Sequence, residues 1–135
     1  GVQPGDFYRS VMEGVALNLK ILLKIIEESV EVKNIVLIGG GGKSNVWRQI
    51  LADIFQKNIL LPENMEAGTS IGGAIIAGVG TGIFDSYSDA KRFIKVENEV
   101  VPDESKSSLY EKKLQIFENA YYALKEINKE IKNAQ

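Results

Sequence analysis

Four consecutive glycines, Gly39 to Gly42, followed by Lys43, Ser44 and Asn45, form the stretch of this sequence best suited to hold a ligand. Glycine lacks a Cβ, so its backbone can approach a flat ring or a phosphate closely. Ser44 and Asn45 are both helix-capping types, and a helix start carries N–H groups with no intrahelical acceptor. The chemistry on offer is therefore binding by backbone and short polar side chains. Two phosphate motifs come near and fail. A P-loop, G-x-x-x-x-G-K-[ST], would end on Gly42-Lys43-Ser44, but its first glycine falls on Leu37. The dinucleotide fingerprint G-x-G-x-x-G, begun at Gly39 or Gly40, runs into Ser44 or Asn45. The stretch is either a ligand cradle or a turn that only reverses the chain. Four glycines in a row exceed what a turn needs, which favours the cradle.

The remaining inventory excludes much else. The 135 residues contain no cysteine and no histidine. Thiolate zinc sites, disulfide frameworks, Ser-His-Asp triads and Cys-His pairs are ruled out. Any chemistry must use carboxylates, lysine, hydroxyls or backbone. A 44% hydrophobic and 25% charged composition is that of a globular chain, one domain or a piece of one. The net charge is −2 with both signs interspersed, which points to neither nucleic acid nor an anionic membrane. No apolar run approaches the ~20 residues that span a bilayer, and no signal-peptide pattern opens the chain. These features predict a cytoplasmic protein, and the lack of cysteine fits a reducing compartment.

The elements that must position the glycines follow from periodicity. Ile35 to Ile38 is a continuous apolar run, which predicts a strand buried on both faces of a mainly parallel sheet. From Asn45 to about Gln56, Val46, Trp47, Ile50, Leu51, Ile54 and Phe55 recur on one helical face. The glycines thus sit at the carboxyl end of a strand, where open α/β sheets bind ligands. Trp47 could stack on a base, but its spacing favours core. Arg48, Gln49 and Asp53 read as a solvated face. Upstream, Asp6 to Ser29 reads as a long helix with a broad apolar face, Glu13 lying on its solvated polar stripe.

Downstream, Asn58 to Leu61 reads as a second strand, ended by Pro62. After a polar turn, a helix over Ser70 to Gly80, capped by Thr69 or Ser70, is rich in small residues, among them Gly72, Gly73 and Gly78. Each such glycine weakens a helix by up to about 1 kcal/mol. Tight packing and a sliding hinge face both explain that choice, and both stay open. Asp85 to Val96 reads as a turn and short helix, Glu97 to Asp103 as an extended link, and Ser107 to Ile131 as a helix with Tyr110, Leu114, Phe117, Tyr121, Leu124 and Ile131 on its apolar stripe. Lys132 to Gln135 are expected to fray. The alternation is α/β. Two short strands make a poor sheet, so either a strand is hidden or the chain is the later part of a larger domain.

The residues now in view resemble the C-terminal part of the FGGY carbohydrate kinases, closest to their xylulokinase-like members. The matching pieces are Ser10 to Leu19, Ile38 to Ile54, Glu66 to Gly82, and Val101-Pro102-Asp103 with the Tyr110 helix, in order over nearly the whole chain. The run Gly-Gly-Gly-x-Lys-Ser-x-x-Trp-x-Gln, with Ala-Asp after it, is the specific part. The sequence departs at Asn45, where many xylulokinases carry proline.

The resemblance implies a ribonuclease-H-like domain of the actin/hexokinase type, and residues 1–135 as the later part of the C-terminal nucleotide-binding domain. It implies transfer of the γ-phosphoryl of MgATP to a sugar hydroxyl of xylulose or a related ketose or polyol. Gly39, Gly40, Gly41, Gly42, Ser44 and Asn45 would meet the nucleotide, and Gly72 and Gly73 would belong to the interdomain hinge. The catalytic base, phosphate loops and sugar contacts are expected in the N-terminal sugar-binding domain and other upstream parts, absent here. No catalytic residue and no metal ligand is assigned within this chain, and the fragment alone is expected to be inactive. ATP or ADP is the expected partner, with the sugar and Mg2+ met mainly through the absent parts. The alternative is a non-catalytic nucleotide-binding or self-assembly domain, with a homodimer formed through uncovered apolar surface.

Overall fold

The computed structural model describes residues 1–134 and sets their helices around a three-stranded sheet. In chain order the elements are α1 (Pro4–Glu27), β1 (Asn34–Val36), α2 (Asn45–Phe55), β2 (Asn58–Pro62), α3 (Gly68–Gly80), β3 (Val96–Val100) and α4 (Ser107–Asn133). Proline at the first position of α1 needs no N–H there, and Asp6 closes its first turn by accepting from the Gln3 N–H at 2.9 Å. β1 and β2 run parallel, joined through α2, with Val36 opposite Leu60. β3 runs antiparallel to β2 and places Val100 opposite Ile59.

β3 is the hidden strand, in the stretch that reads as an extended link. Its sequence, Val-Glu-Asn-Glu-Val, carries acids at positions exposed to solvent. Charge on an outer strand blocks pairing with other chains, and it also hides the strand from hydrophobic patterning. The register slips between Leu61 and Pro62, where proline has no N–H to give the ladder.

The core lies on one side of the sheet. Ile50, Leu51, Ile54 and Phe55 of α2 meet Ile59 and Leu61 of β2, Ala16, Leu17 and Leu23 of α1, and Tyr110 and Leu114 of α4. The expectation that the first strand is buried on both faces is corrected: Val36 is 42% exposed. β1 is an outer strand here, and its second face borders a groove of about 460 Å³ lined by Val36, Ile38, Gly72, Ile75, Phe93 and Ile94. α4 also packs only over its first half. Tyr110 and Leu114 are buried and Phe117 half-buried, whereas Tyr121, Leu124 and Ile131 are exposed. The helix runs on to Asn133, past the point where fraying is expected; Gln135 lies outside the described residues. Among the described residues no helix is long and apolar enough to cross a membrane.

Glu13 corrects a second expectation. It is only 8% exposed, on the face of α1 that meets α4. Its carboxylate accepts from Arg9 Nε at 2.9 Å, Tyr110 Oη at 2.9 Å and Lys113 Nζ at 2.6 Å. Burial pushes the Glu13 carboxyl up, but the hydrogen bonds from Lys113, Tyr110 and Arg9 outweigh it and hold the group below the ordinary glutamate value. The unfolded chain therefore takes up this proton first as pH falls. The stabilisation is present above the ordinary glutamate pKa of about 4.3 and is lost as pH drops through the depressed native value. Glu13→Gln should cost about 1 kcal/mol at neutral pH and flatten the loss of stability on acidification. Urea unfolding of both proteins between neutral pH and about pH 3 checks this. Parallel pH profiles for the two proteins would refute it.

Candidate functional site

The glycine turn leaves the end of β1 as a sharp corner. Gly39 has φ +85° and ψ 175°, a conformation essentially reserved for glycine. Its N–H donates to the Met65 carbonyl at 2.8 Å, and its own carbonyl accepts from Gly42 N–H at 3.0 Å. Gly40 to Lys43 then make a single 3-10 turn. Ser44 caps α2, its Oγ accepting from the Trp47 N–H at 3.3 Å, as its residue type predicts.

The four glycines are not equivalent. A Cβ on Gly42 would lie 2.9 Å from Met65 Sδ and 3.5 Å from Leu37 Cγ, so a side chain there would have to push the Met65 thioether aside. Gly39 has open space around it, and its backbone angle alone demands glycine. Gly40 meets no neighbour, and Gly41 touches only the Trp47 indole, at 3.6 Å from Nε1. Gly40 and Gly41 are therefore bare backbone that the fold itself does not require. Trp47 is half-buried and packs on the core as its spacing predicts, with its indole edge beneath Gly41. The result is an open shelf made of Gly40 and Gly41, bounded by Ser44 and Asn45.

Gly39→Ala should destabilise the protein by about 2 kcal/mol, because the backbone angle is the only thing the methyl group violates. Gly40→Ala, at an ordinary angle in open space, should change stability by less than about 0.5 kcal/mol. Denaturant midpoints for the two variants separate these outcomes, and equal midpoints would refute the distinction.

Arg48 does not belong to a solvated face. Its Nη1 donates to Asn45 Oδ1 at 3.0 Å and its Nε donates to the Gly42 carbonyl. Lys43 pairs with Glu66, bridging the glycine turn to the 3-10 turn Met65–Ala67. The hydrogen bond from Lys43 holds the Glu66 carboxyl below its usual range. These partners lie on other loops or one helical turn away, and no local pattern announces them.

Asp53 overturns the solvated reading most fully. It is completely buried, and Asp53 Oδ1 accepts from Gln49 Nε2 at 2.7 Å and from the Asp103 N–H at 2.9 Å. Its Oδ2 accepts from Lys106 Nζ at 2.9 Å, which raises the lysine above its ordinary pKa. Gln49 Nε2 also reaches the Val101 carbonyl at 3.2 Å. The face read as solvated is thus covered by the link between β3 and α4, which an undetected third strand brings back across α2.

Gly72 and Gly73 lie on α3. The helix begins at Gly68, directly from the preceding turn, so neither Thr69 nor Ser70 caps it. A Cβ on Gly68 would sit 2.8 Å from Ile38, and one on Gly78 would strike the Phe84 ring. Tight packing explains those two glycines. It does not explain Gly72 or Gly73, where an added Cβ meets nothing within 4 Å. Among the described residues no three acidic, histidine or cysteine side chains gather as a metal ion would require.

Comparison with known proteins gives this geometry a context. The sequence profile of the FGGY family of carbohydrate kinases, C-terminal domain, matches residues 1–81. A xylulose kinase of Staphylococcus epidermidis is 36% identical over 128 residues, covering 93% of this chain and 26% of that protein. A gluconokinase of Bacillus licheniformis is 32% identical over 129 residues, covering 94% of this chain and 25% of that protein. The crystal structure of xylulose kinase from Rhodospirillum rubrum superposes with a TM-score of 0.77 at 23% identity, covering 94% of this chain and 26% of that one. The chain thus spans about a quarter of the length of the relatives it matches.

Proposed function

The chain belongs to the FGGY family of carbohydrate kinases, and we propose that it forms the adenosine side of such a kinase's ATP site. Its fold is the ribonuclease-H-like fold of the actin and hexokinase type that its structural neighbours share. One observation carries the functional reading: Gly40 and Gly41 are bare although neither backbone angle nor packing requires it. Bare backbone at the carboxyl end of a parallel strand, beside a helix N-terminus, suits a flat base and its ribose.

In this reading Gly39 and Gly42 shape the corner and Gly40 and Gly41 receive the base. Ser44 fixes the start of α2, and Asn45 supplies a polar contact. ATP brings the γ-phosphoryl group that a sugar hydroxyl receives. The residues here bind and orient the nucleoside end. The catalytic base, the phosphate loops and the sugar contacts belong to the upstream part of the kinase, so residues 1–135 alone are catalytically silent. The magnesium of MgATP is assigned to no side chain of this chain. Gly72 and Gly73 serve the hinge on which the two domains close, since nothing within this chain fills the space a side chain would take there. The substrate is xylulose or a related ketose or polyol, and the site of action is the cytoplasm.

The test is an ADP-release screen on the complete protein with MgATP and a panel of ketopentoses, aldonates and polyols. Turnover with one sugar is expected; no nucleotide binding and no turnover with any sugar would overturn the reading. A second reading, an assembly module, draws on one observation: Phe7, Tyr8, Ile25 and Ile26 of α1 are all more than half exposed. Buried apolar surface drives association. Sedimentation of the complete protein over a range of concentrations tests it, and a monomer throughout would end it.

A further inference from the structure

We propose that Arg48 is a positioning residue for nucleotide recognition: it fixes the Asn45 amide with the NH2 group outward, setting a hydrogen-bond donor at the edge of the glycine shelf. This rests on the nucleotide site proposed above and specifies its chemistry. A guanidinium only donates and stays charged at any relevant pH. Whichever end of the Asn45 amide faces it must therefore be the oxygen, and Nη1 lies 3.0 Å from Oδ1. The same planar group donates through Nε to the Gly42 carbonyl. Gly42 is buried between Leu37 and Met65, so that carbonyl is a fixed point. Two anchors on one rigid fork hold both the turn and the amide. Arg48 and Asn45 stand one helical turn apart on α2, the spacing at which side chains meet.

The consequence is directional. Asn45 is exposed, and its Nδ2 has no protein acceptor among the described residues. Lys43 is engaged by Glu66 across the turn, and the Ser44 hydroxyl sits over the Trp47 N–H. The Asn45 NH2 is the donor at the shelf edge whose direction Arg48 fixes, and it takes an acceptor such as a ring nitrogen of adenine. Without Arg48 the amide can turn over and present either end.

The experiment measures ADP binding by calorimetry to the complete protein. Asn45→Ala should weaken ADP by about tenfold and Arg48→Ala by about threefold, and the double variant should lie within about twofold of Asn45→Ala alone. Three ADP analogues, with carbon replacing N1, N3 or N7 in turn, read the donor directly. One of them should bind the parent about tenfold worse than ADP, and that penalty should vanish in Asn45→Ala and shrink in Arg48→Ala. Asn45→Asp keeps the shape and the Arg48 contact but removes the donor, so the analogue penalty should vanish there too, even if Arg48→Ala does not fold. Arg48→Lys, with one donor in place of a fork, should recover only part of the loss.

Additive losses in the double variant would mean that Arg48 only props the turn, and would overturn the inference. So would a parent that binds all three analogues as well as it binds ADP, or an analogue penalty that survives in Asn45→Asp. In each of those cases the nucleotide site itself stands. A parent protein that binds no ADP overturns the inference together with the reading beneath it.

Discussion

Gly41→Val should weaken ATP binding to the complete protein by about tenfold or more, and leave stability within about 0.5 kcal/mol of the parent. The two halves of this expectation come from one observation. A Cβ at Gly41 would touch only the Trp47 indole, at 3.6 and 3.7 Å, which is ordinary van der Waals contact. Its backbone angle is also one that any residue adopts. Folding therefore has no reason to object to a Cβ there. A base resting on the shelf does, because two γ-methyl groups would occupy the space into which it must descend. Overfilling a fitted site costs about 1–3 kcal/mol, and 1.4 kcal/mol is a factor of ten in affinity. Gly41→Ala, with one methyl group, should give a smaller loss. A graded rise in Kd from glycine through alanine to valine, with unchanged unfolding midpoints, is the expected pattern. Unchanged ATP affinity in Gly41→Val would remove Gly41 from the site.

That test exists because the four glycines, alike in sequence, do different work in space. The strand, the corner and the helix after it are legible from residue types alone, since each signal is local: an apolar run, a glycine cluster, a serine before an amphipathic helix. The division of labour among the glycines is not legible. It depends on Met65 and Leu37 pressing on Gly42 and on the carbonyl that Gly39 finds at Met65, and Met65 approaches from beyond β2. The same limit explains Glu13. Its partners Tyr110 and Lys113 lie about a hundred residues away in the chain, so helical periodicity placed it among solvated acids. β3 escaped for the opposite reason. It is locally polar, and only its pairing with Ile59 to Pro62 makes it a strand. What sequence could not assign is what needs a second, distant segment to give it meaning. Gly72 and Gly73 fall between these cases, because their small size is legible in the sequence and their open surroundings are not.

The largest effect on stability should come from Asp53, a residue whose sequence context suggests nothing of the kind. Asp53→Ala should cost about 3 kcal/mol. The carboxylate is fully buried and holds the Gln49 amide, the Asp103 N–H and the Lys106 ammonium together. Its removal saves the cost of burying a charge but strands those donors. The Asp103 N–H is the critical one, since a half-buried backbone donor cannot be turned elsewhere and costs about 1 kcal/mol or more without an acceptor. Lys106 is different. Its side chain is 36% exposed and can hydrate once released. Lys106→Met, by contrast, leaves the buried Asp53 carboxylate without its cation, held only by Gln49 Nε2 and the Asp103 N–H, and should cost about 3 kcal/mol as well. Urea unfolding of both variants reads these losses, and a loss under about 1 kcal/mol for Asp53→Ala would refute the assignment. The consequence for the site follows from geometry. Asp53 ties the far end of α2 to the link that closes the domain, while Ser44 and Asn45 at the near end are held separately by the glycine turn and Arg48. Asp53→Ala should thus lower stability far more than it raises the KM for ATP, the reverse of the pattern expected for Gly41→Val.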